Sequence, residues 1–197
     1  MSEHEQPPQG PPHTERFEEA LAWAARLHRD QHRKGSGAPY ISHLLAVTAL
    51  VIEHGGDEDV AIAAVLHDAV EDQGGAETLA EIKRRFGGRV AAIVDGCSDT
   101  DQTPKPPWRA RKEAFLASLS DASPEVKLVV AADKLHNSRS TLADLRSSGP
   151  IVWDMFRGGR EGSLWYYRSA VDALRGGVPD RLVRQLAAVV DELGASP

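Results

Sequence analysis

Seven residues, Leu66-His67-Asp68-Ala69-Val70-Glu71-Asp72, bring together one imidazole and three carboxylates. An apolar run from Val60 to Val65 leads into them with no breaker. The pattern predicts one buried helix, opening near Asp57 and stopping at Gly74-Gly75. On a continuous helix, residues four apart share a face, so His67 would stack with Glu71 and Asp68 with Asp72. An isolated His-Asp pair is usually a solvated helix end. Four ionisable groups delivered by an Ala/Val/Ile/Leu helix are costly to desolvate unless they are paired or bind a metal.

A second stretch repeats the design. Leu128 to Ala132 is apolar and delivers Asp133, with Asn137 one turn later on the same face. Alone, Asp133 would read as a buried ion-pair partner. His43 opens another helix after Tyr40-Ile41, and alone it would read as a core or cap histidine. Together, His43, His67, Asp68 and Asp133 form a set of two imidazoles and two carboxylates. Mixed N/O donors without thiolate suit Mn, Fe, Zn or Mg-like ions rather than a structural zinc. Such a set leaves positions open for water and substrate. His28, His32, His54 and the tail residues His4 and His13 are not counted as ligands. Nor is His136, which lies on a different face of its helix from Asp133.

The elements that must position these residues read as helices throughout. Residues 1–13 are rich in Pro, Gln and Glu and are expected to form a disordered tail. Helices are expected over about 14–30, 41–53, 57–73, 77–86, 89–97, 108–119, 124–146, 151–156, 161–175 and 180–193. Residues 98–107 form a loop by composition. No stretch alternates like a strand, and no repeat or heptad is present. The expected fold is all-α, an irregularly packed single domain. It spans 14–176, and 177–197 form a C-terminal helix that packs on or extends it.

Composition narrows the function. At 197 residues, 41% of them hydrophobic, the chain can bury one core. A formal charge of −6 argues against general nucleic-acid binding and against an anionic membrane surface. No apolar run approaches a membrane span, and the N-terminus is not a signal peptide. The single cysteine, Cys97, leaves no internal disulfide, fits a reducing cytoplasm and reads as a packed thiol.

The motifs resemble the HD phosphohydrolase superfamily, and within it the hydrolase domain of the Rel/SpoT stringent-response enzymes. Arg33-Lys34-Gly35-Ser36-Gly37-Ala38-Pro39-Tyr40-Ile41-Ser42-His43 is similar to that family's R-K-x-x-G-x-P-Y-I-x-H. Leu66 to Asp72 is similar to its L-H-D-x-V-E-D, and Ala132 to Asn137 to its A-D-K/R-L-x-N. The resemblance covers about residues 15–175. It departs from the family at Leu44, where Pro is frequent, and it is loose after Gly149. It implies an irregular helical HD-domain fold and a stand-alone small alarmone hydrolase. The implied reaction is hydrolysis of guanosine tetra- and pentaphosphate, with release of pyrophosphate from the ribose 3′ position. The implied cofactor is one Mn²⁺ per site.

On this reading His43, His67, Asp68 and Asp133 hold the metal. Glu71 and Asp72 orient or deprotonate the attacking water and manage the leaving group. Because the chain is acidic and the substrate strongly anionic, local basic groups must attract it. Arg33 and Lys34, with Ser36 in the same loop, line the nucleotide pocket, and Lys105 closes over phosphates. Asn137 reads the ribose or orients an acid, and Tyr166 contacts substrate, with Arg160 the next candidate. The partner implied is a small nucleotide; a homo-oligomer is compatible. The main alternative is a related HD phosphohydrolase acting on NADPH or on adenosine alarmones. A metal-binding regulatory domain that has lost catalysis is opposed by the presence of Glu71 and Asp72. Nothing in the sequence favours a protein-interaction module.

Overall fold

The computed structural model describes residues 13–100 and 106–196. The N-terminal tail up to Pro12, and Lys105, lie outside the described residues. Among the described residues, ten α-helices and one 3-10 helix follow in order: α1 Glu15–Leu27, α2 Ile41–Glu53, α3 Glu58–Leu66, α4 Ala69–Asp72, α5 Gly75–Phe86, α6 Gly88–Cys97, α7 Trp108–Ser118, α8 Pro124–Ser148, the 3-10 turn Gly149–Met155, α9 Gly159–Leu174 and α10 Asp180–Ala195. Among the described residues there is no strand, only an isolated bridge between His32 and Pro39.

The centre of the fold is α3. Every residue from Val60 to Leu66 is buried, as expected for a helix that is apolar on all sides. It packs against α1, α2, α6 and α8. Its start is fixed by Asp57, whose side chain accepts from Val60 N at 3.1 Å and from Arg89 Nη1 at 2.8 Å. Burying a side chain such as Ile62 or Leu66 contributes about 1.5–3 kcal/mol.

The second organising element is α8, capped by Ser123 with Pro124 in its first turn. Its 25 residues span about 37 Å. It contacts α2, α3, α6, α9 and α10, so it runs the length of the molecule. Leu128 to Ala132, in its N-terminal half, are buried, and the helix packs there against the core that holds α3.

One expectation is corrected. The helix predicted over 57–73 is interrupted: α3 ends at Leu66, and a separate four-residue α4 follows His67 and Asp68. The cause is local. His67 Nδ1 lies 2.8 Å from the Ala64 carbonyl, the acceptor that Asp68 N–H would use in an unbroken helix. The imidazole competes for that carbonyl, and the chain turns at the residues that carry the chemistry.

Candidate active site

Three elements converge on one point. His43 comes from the first turn of α2, His67 and Asp68 from the α3–α4 junction, and Asp133 from the buried middle of α8. His43 Nε2 lies 3.2 Å from Asp133 Oδ1 and 3.5 Å from Asp68 Oδ2. His67 Nε2 lies 3.2 Å from Asp68 Oδ2 and 3.7 Å from Asp133 Oδ1. The ligating atoms of His43, His67 and Asp133 all fall within 4.8 Å of one another. The His43 side chain is 1% exposed and that of His67 4%.

The residues present fit a divalent cation. Both Nε2 atoms are buried, face the two carboxylates, and make no well-formed hydrogen bond. Their Nδ1 atoms are tied elsewhere. His67 Nδ1–H donates to the Ala64 carbonyl, which leaves an Nε2 lone pair aimed at the cluster. His43 Nδ1 lies 2.8 Å from His136 Nδ1. Burial, then His43 and Arg33, push the His136 imidazole down to about 4, so near neutral pH it is uncharged and can accept. With His136 accepting, His43 also presents a bare Nε2.

The two carboxylates call for positive charge at this point, which a proton on the imidazole or a cation in its place can supply. Burial disfavours charge on His67, but Asp68 and Asp133 outweigh it and hold the imidazole well above its ordinary range. Burial likewise opposes ionisation of Asp68, and His67 and His43 hold it well below the usual carboxylate range. For Asp133, burial is outweighed by Lys134 and then by the two imidazoles. Tyr40 donates its hydroxyl to Asp68 Oδ2 at 2.6 Å, and burial with Asp68 keeps that hydroxyl protonated. Lys134 Nζ and Asn137 Nδ2 each donate to Asp133 at 2.5 Å.

Asp68 brings the cluster to the wall of a cleft of about 540 Å³, and His67 and Asp133 line a small cavity that shares Asp68, Glu71, Lys112, Lys134 and Tyr166 with it. Glu71 and Asp72 line the cleft with Asp68. Asp72 accepts from Gln31 Nε2 at 2.8 Å, and Glu71 Oε1 lies 3.5 Å from Arg111 Nη1. Arg33 and Lys34 also line the cleft, and Arg33 Nη2 donates to Asn137 Oδ1 at 2.7 Å. Tyr166 is buried on the cleft wall, its hydroxyl without a hydrogen-bond partner among the described residues. Ser36 is exposed and off the cleft wall; its hydroxyl accepts from Ala38 N and shapes the turn that presents Arg33 and Lys34. Arg160 lies elsewhere, donating to the Gly194 and Ser196 carbonyls at 3.0 and 2.8 Å.

The structure adds residues that sequence reasoning missed. From α7, Arg111 and Lys112 both bond Asp99, and Lys112 Nζ sits 4.9 Å from the centre of the Tyr166 ring. Burial opposes charge on Asp99, and Lys112 with Arg111 nevertheless hold it below its usual range. Lys134 Nζ lies 5.4 Å from the same ring. These lysines and Arg111 form a cationic wall beside the carboxylates. No local pattern ties α7 to the cluster, whereas Tyr40 and His136 sat inside the quoted motifs. Cys97 is packed, and burial pushes its thiol up, so it is no nucleophile here.

Comparison with known proteins agrees with this geometry. Residues 20–162 match the HD domain family. The guanosine-3′,5′-bis(diphosphate) 3′-pyrophosphohydrolase MESH1 of Homo sapiens is 38% identical over 142 residues, which cover 71% of this chain and 74% of that protein. The Mus musculus protein of the same name is 34% identical over 181 residues, covering 89% and 93%. A solved structure described as a metazoan ortholog of SpoT that hydrolyzes ppGpp superposes with a TM-score of 0.77 at 29% identity, covering 94% of this chain and 99% of that one. A three-motif cluster, an all-helical frame and these similarities reach one result: the chain belongs to the HD domain family and is homologous to the MESH1 and SpoT-type ppGpp 3′-pyrophosphohydrolases.

Proposed function

We propose that this protein hydrolyses guanosine 3′,5′-bis(diphosphate) and its pentaphosphate counterpart, releasing pyrophosphate from the ribose 3′ position to give GDP or GTP. The observation that carries the reading is the two-imidazole, two-carboxylate cluster, which reaches through Asp68 a cleft walled by Arg33, Lys34, Arg111, Lys112 and Lys134. That arrangement suits a reaction at phosphorus on a polyanion, and the homologous pyrophosphohydrolases supply the substrate.

His43, His67, Asp68 and Asp133 would hold the metal, and Mn²⁺ is the ion assigned, in keeping with imidazole and carboxylate donors and no thiolate. When bound, a divalent ion there supplies Lewis-acid neutralisation of phosphoryl oxygen and favours ionisation of water. Glu71 and Asp72 orient the attacking water and accept its proton. The water oxygen bonds to the phosphorus attached to O3′, the bond from that phosphorus to O3′ breaks, and O3′ takes up a proton. Lys112 and Lys134 balance charge on the departing diphosphate, and Tyr166 closes the wall behind it. Arg33 and Lys34 hold the nucleotide, with Asn137 beside the ribose.

Two measurements test this. Chelation should abolish pyrophosphate release from guanosine 3′,5′-bis(diphosphate), and Mn²⁺ should restore it best. Full activity after chelation, or release of single phosphate from NADPH in preference, would overturn the reading. Glu71→Gln and Asp72→Asn should each lower kcat by about 10²–10⁴ with bound metal unchanged. If they instead lose metal while the metallated fraction turns over normally, both residues belong to the ligand shell.

A further inference from the structure

One face of α8 runs from the metal cluster along the cleft. Asp133, Asn137, Ser140, Thr141 and Asp144 fall within an arc of about 100° on a helix of 3.6 residues per turn. The last four line the cleft itself. At 1.5 Å per residue, Asp144 stands about 16 Å from Asp133 and about 10 Å beyond Asn137 along the axis. With the reacting phosphorus at Asp133 and the ribose beside Asn137, the purine is the part of the substrate that reaches Asp144.

The carboxylate of Asp144 is out of place in a cleft built for a polyanion. Asp68, Glu71 and Asp72 sit at the reacting end, where a cation and a water proton call for negative charge. Asp144 does not. Among the described residues it forms no ion pair or side-chain hydrogen bond, although Arg33, Lys34 and Arg157 line the same cleft. A loop glycine makes room for it: at Gly35, with φ +85°, an added Cβ would lie 2.4 Å from Asp144 Oδ2. A carboxylate in that position repels phosphate and favours a neutral group rich in N–H donors. Guanine offers such a group, because N1–H and the 2-amino group lie side by side and match the two oxygens of a carboxylate. At the same two positions adenine presents the N1 lone pair and a C2–H, and its amine lies on the other side of N1, at C6.

We propose that Asp144 selects the base: its carboxylate accepts from guanine N1–H and the 2-amino group and discriminates against adenine. The inference rests on the reading above that the substrate is a purine nucleoside 3′,5′-bis(diphosphate). A site built to hydrogen-bond a substrate N–H rejects an analogue that lacks it, because its own polar group is then left unpaired.

The test compares wild type with Asp144→Asn, a change that keeps size and removes charge. Wild type should prefer guanosine over adenosine 3′,5′-bis(diphosphate) in kcat/KM by more than tenfold, and the variant should lose that preference. A second readout is inhibition by nucleoside 5′-diphosphates. Xanthosine diphosphate carries a carbonyl where guanosine diphosphate carries the amine, so the Asn amide should bind it at least tenfold tighter than wild type does while binding guanosine diphosphate more weakly. An equal loss on both bases with no gain for xanthosine diphosphate would mean that Asp144 only braces the Gly35 loop, and the inference would fall. An unchanged base preference would overturn it as well. If wild type hydrolyses neither bis(diphosphate), it is the reading of the reaction that fails, and the xanthosine and guanosine diphosphate affinities still report on Asp144.

Discussion

At the scale of single residues, the site depends on which nitrogen of each histidine carries its proton. For His67 the decision is made by a backbone carbonyl, because Nδ1–H is committed to Ala64 O. For His43 it is made by another side chain, His136, held 2.8 Å away by α8 one turn from Asp133. Partners of this kind fix ring orientation and ligand basicity, and their loss typically costs about 10–100-fold in metal affinity. His136→Ala should therefore weaken Mn²⁺ retention by about that factor, measured by competition against a chelator, with little change in helical signal. His136→Asn keeps a side-chain acceptor and should recover part of the loss. Equal affinity in all three proteins would show that His136 only fills space beside His43. Tyr40 works on the carboxylate side in the same manner, donating to Asp68 and leaving its other lone pairs for a cation.

At the scale of elements, the site is a meeting of helix ends and one helix middle. Much of this was legible in the sequence. The apolar runs before His67 and Asp133 predicted buried helices, and Asp57 marked the start of the first. Two features were not legible, for physical reasons. The break at His67 comes from a side chain competing with the backbone, which leaves no trace in hydrophobic periodicity. The approach of α7 to the cluster is a long-range packing event, and local pattern says nothing about it. The contact that fixes α7 is specific: the Trp108 ring lies over the start of α9, so that a Cβ on Gly158 would meet it at 2.7–3.0 Å. Gly158 has φ −84°, so alanine there tests packing alone. Gly158→Ala should cost about 1–3 kcal/mol by overpacking, lowering the melting temperature. It should also raise KM, because Arg111 and Lys112 ride on α7, while bound metal stays at the wild-type level. A variant that melts earlier with KM unaltered would show that α7 does not set the cationic wall.

At the scale of the whole molecule, an acidic chain gathers Arg33, Lys34, Arg111, Lys112, Lys134 and Arg157 on one cleft, and α8 joins that cleft to the C-terminal helix. The family match ends at residue 162, yet α10 packs on both α8 and α9. Leu182, Leu186 and Leu193 on α10 are fully buried, and Arg160 on α9 holds the last turn through the Gly194 and Ser196 carbonyls. Because the other side of α8 carries Asp133, we expect α10 to be part of the same cooperative unit as the metal cluster. Leu186→Ala removes a buried side chain 53 positions from Asp133 in sequence. A Leu→Ala cavity of this kind costs about 2–5 kcal/mol. If the chain folds as one unit, the entire thermal transition should move to lower temperature as a single step, and release of bound metal should move with it. The measurement is a melt followed both by helical signal and by a metal indicator. An early partial transition, with metal release left at the wild-type temperature, would mean that α10 folds as a separate appendage, and the single-unit reading would be abandoned.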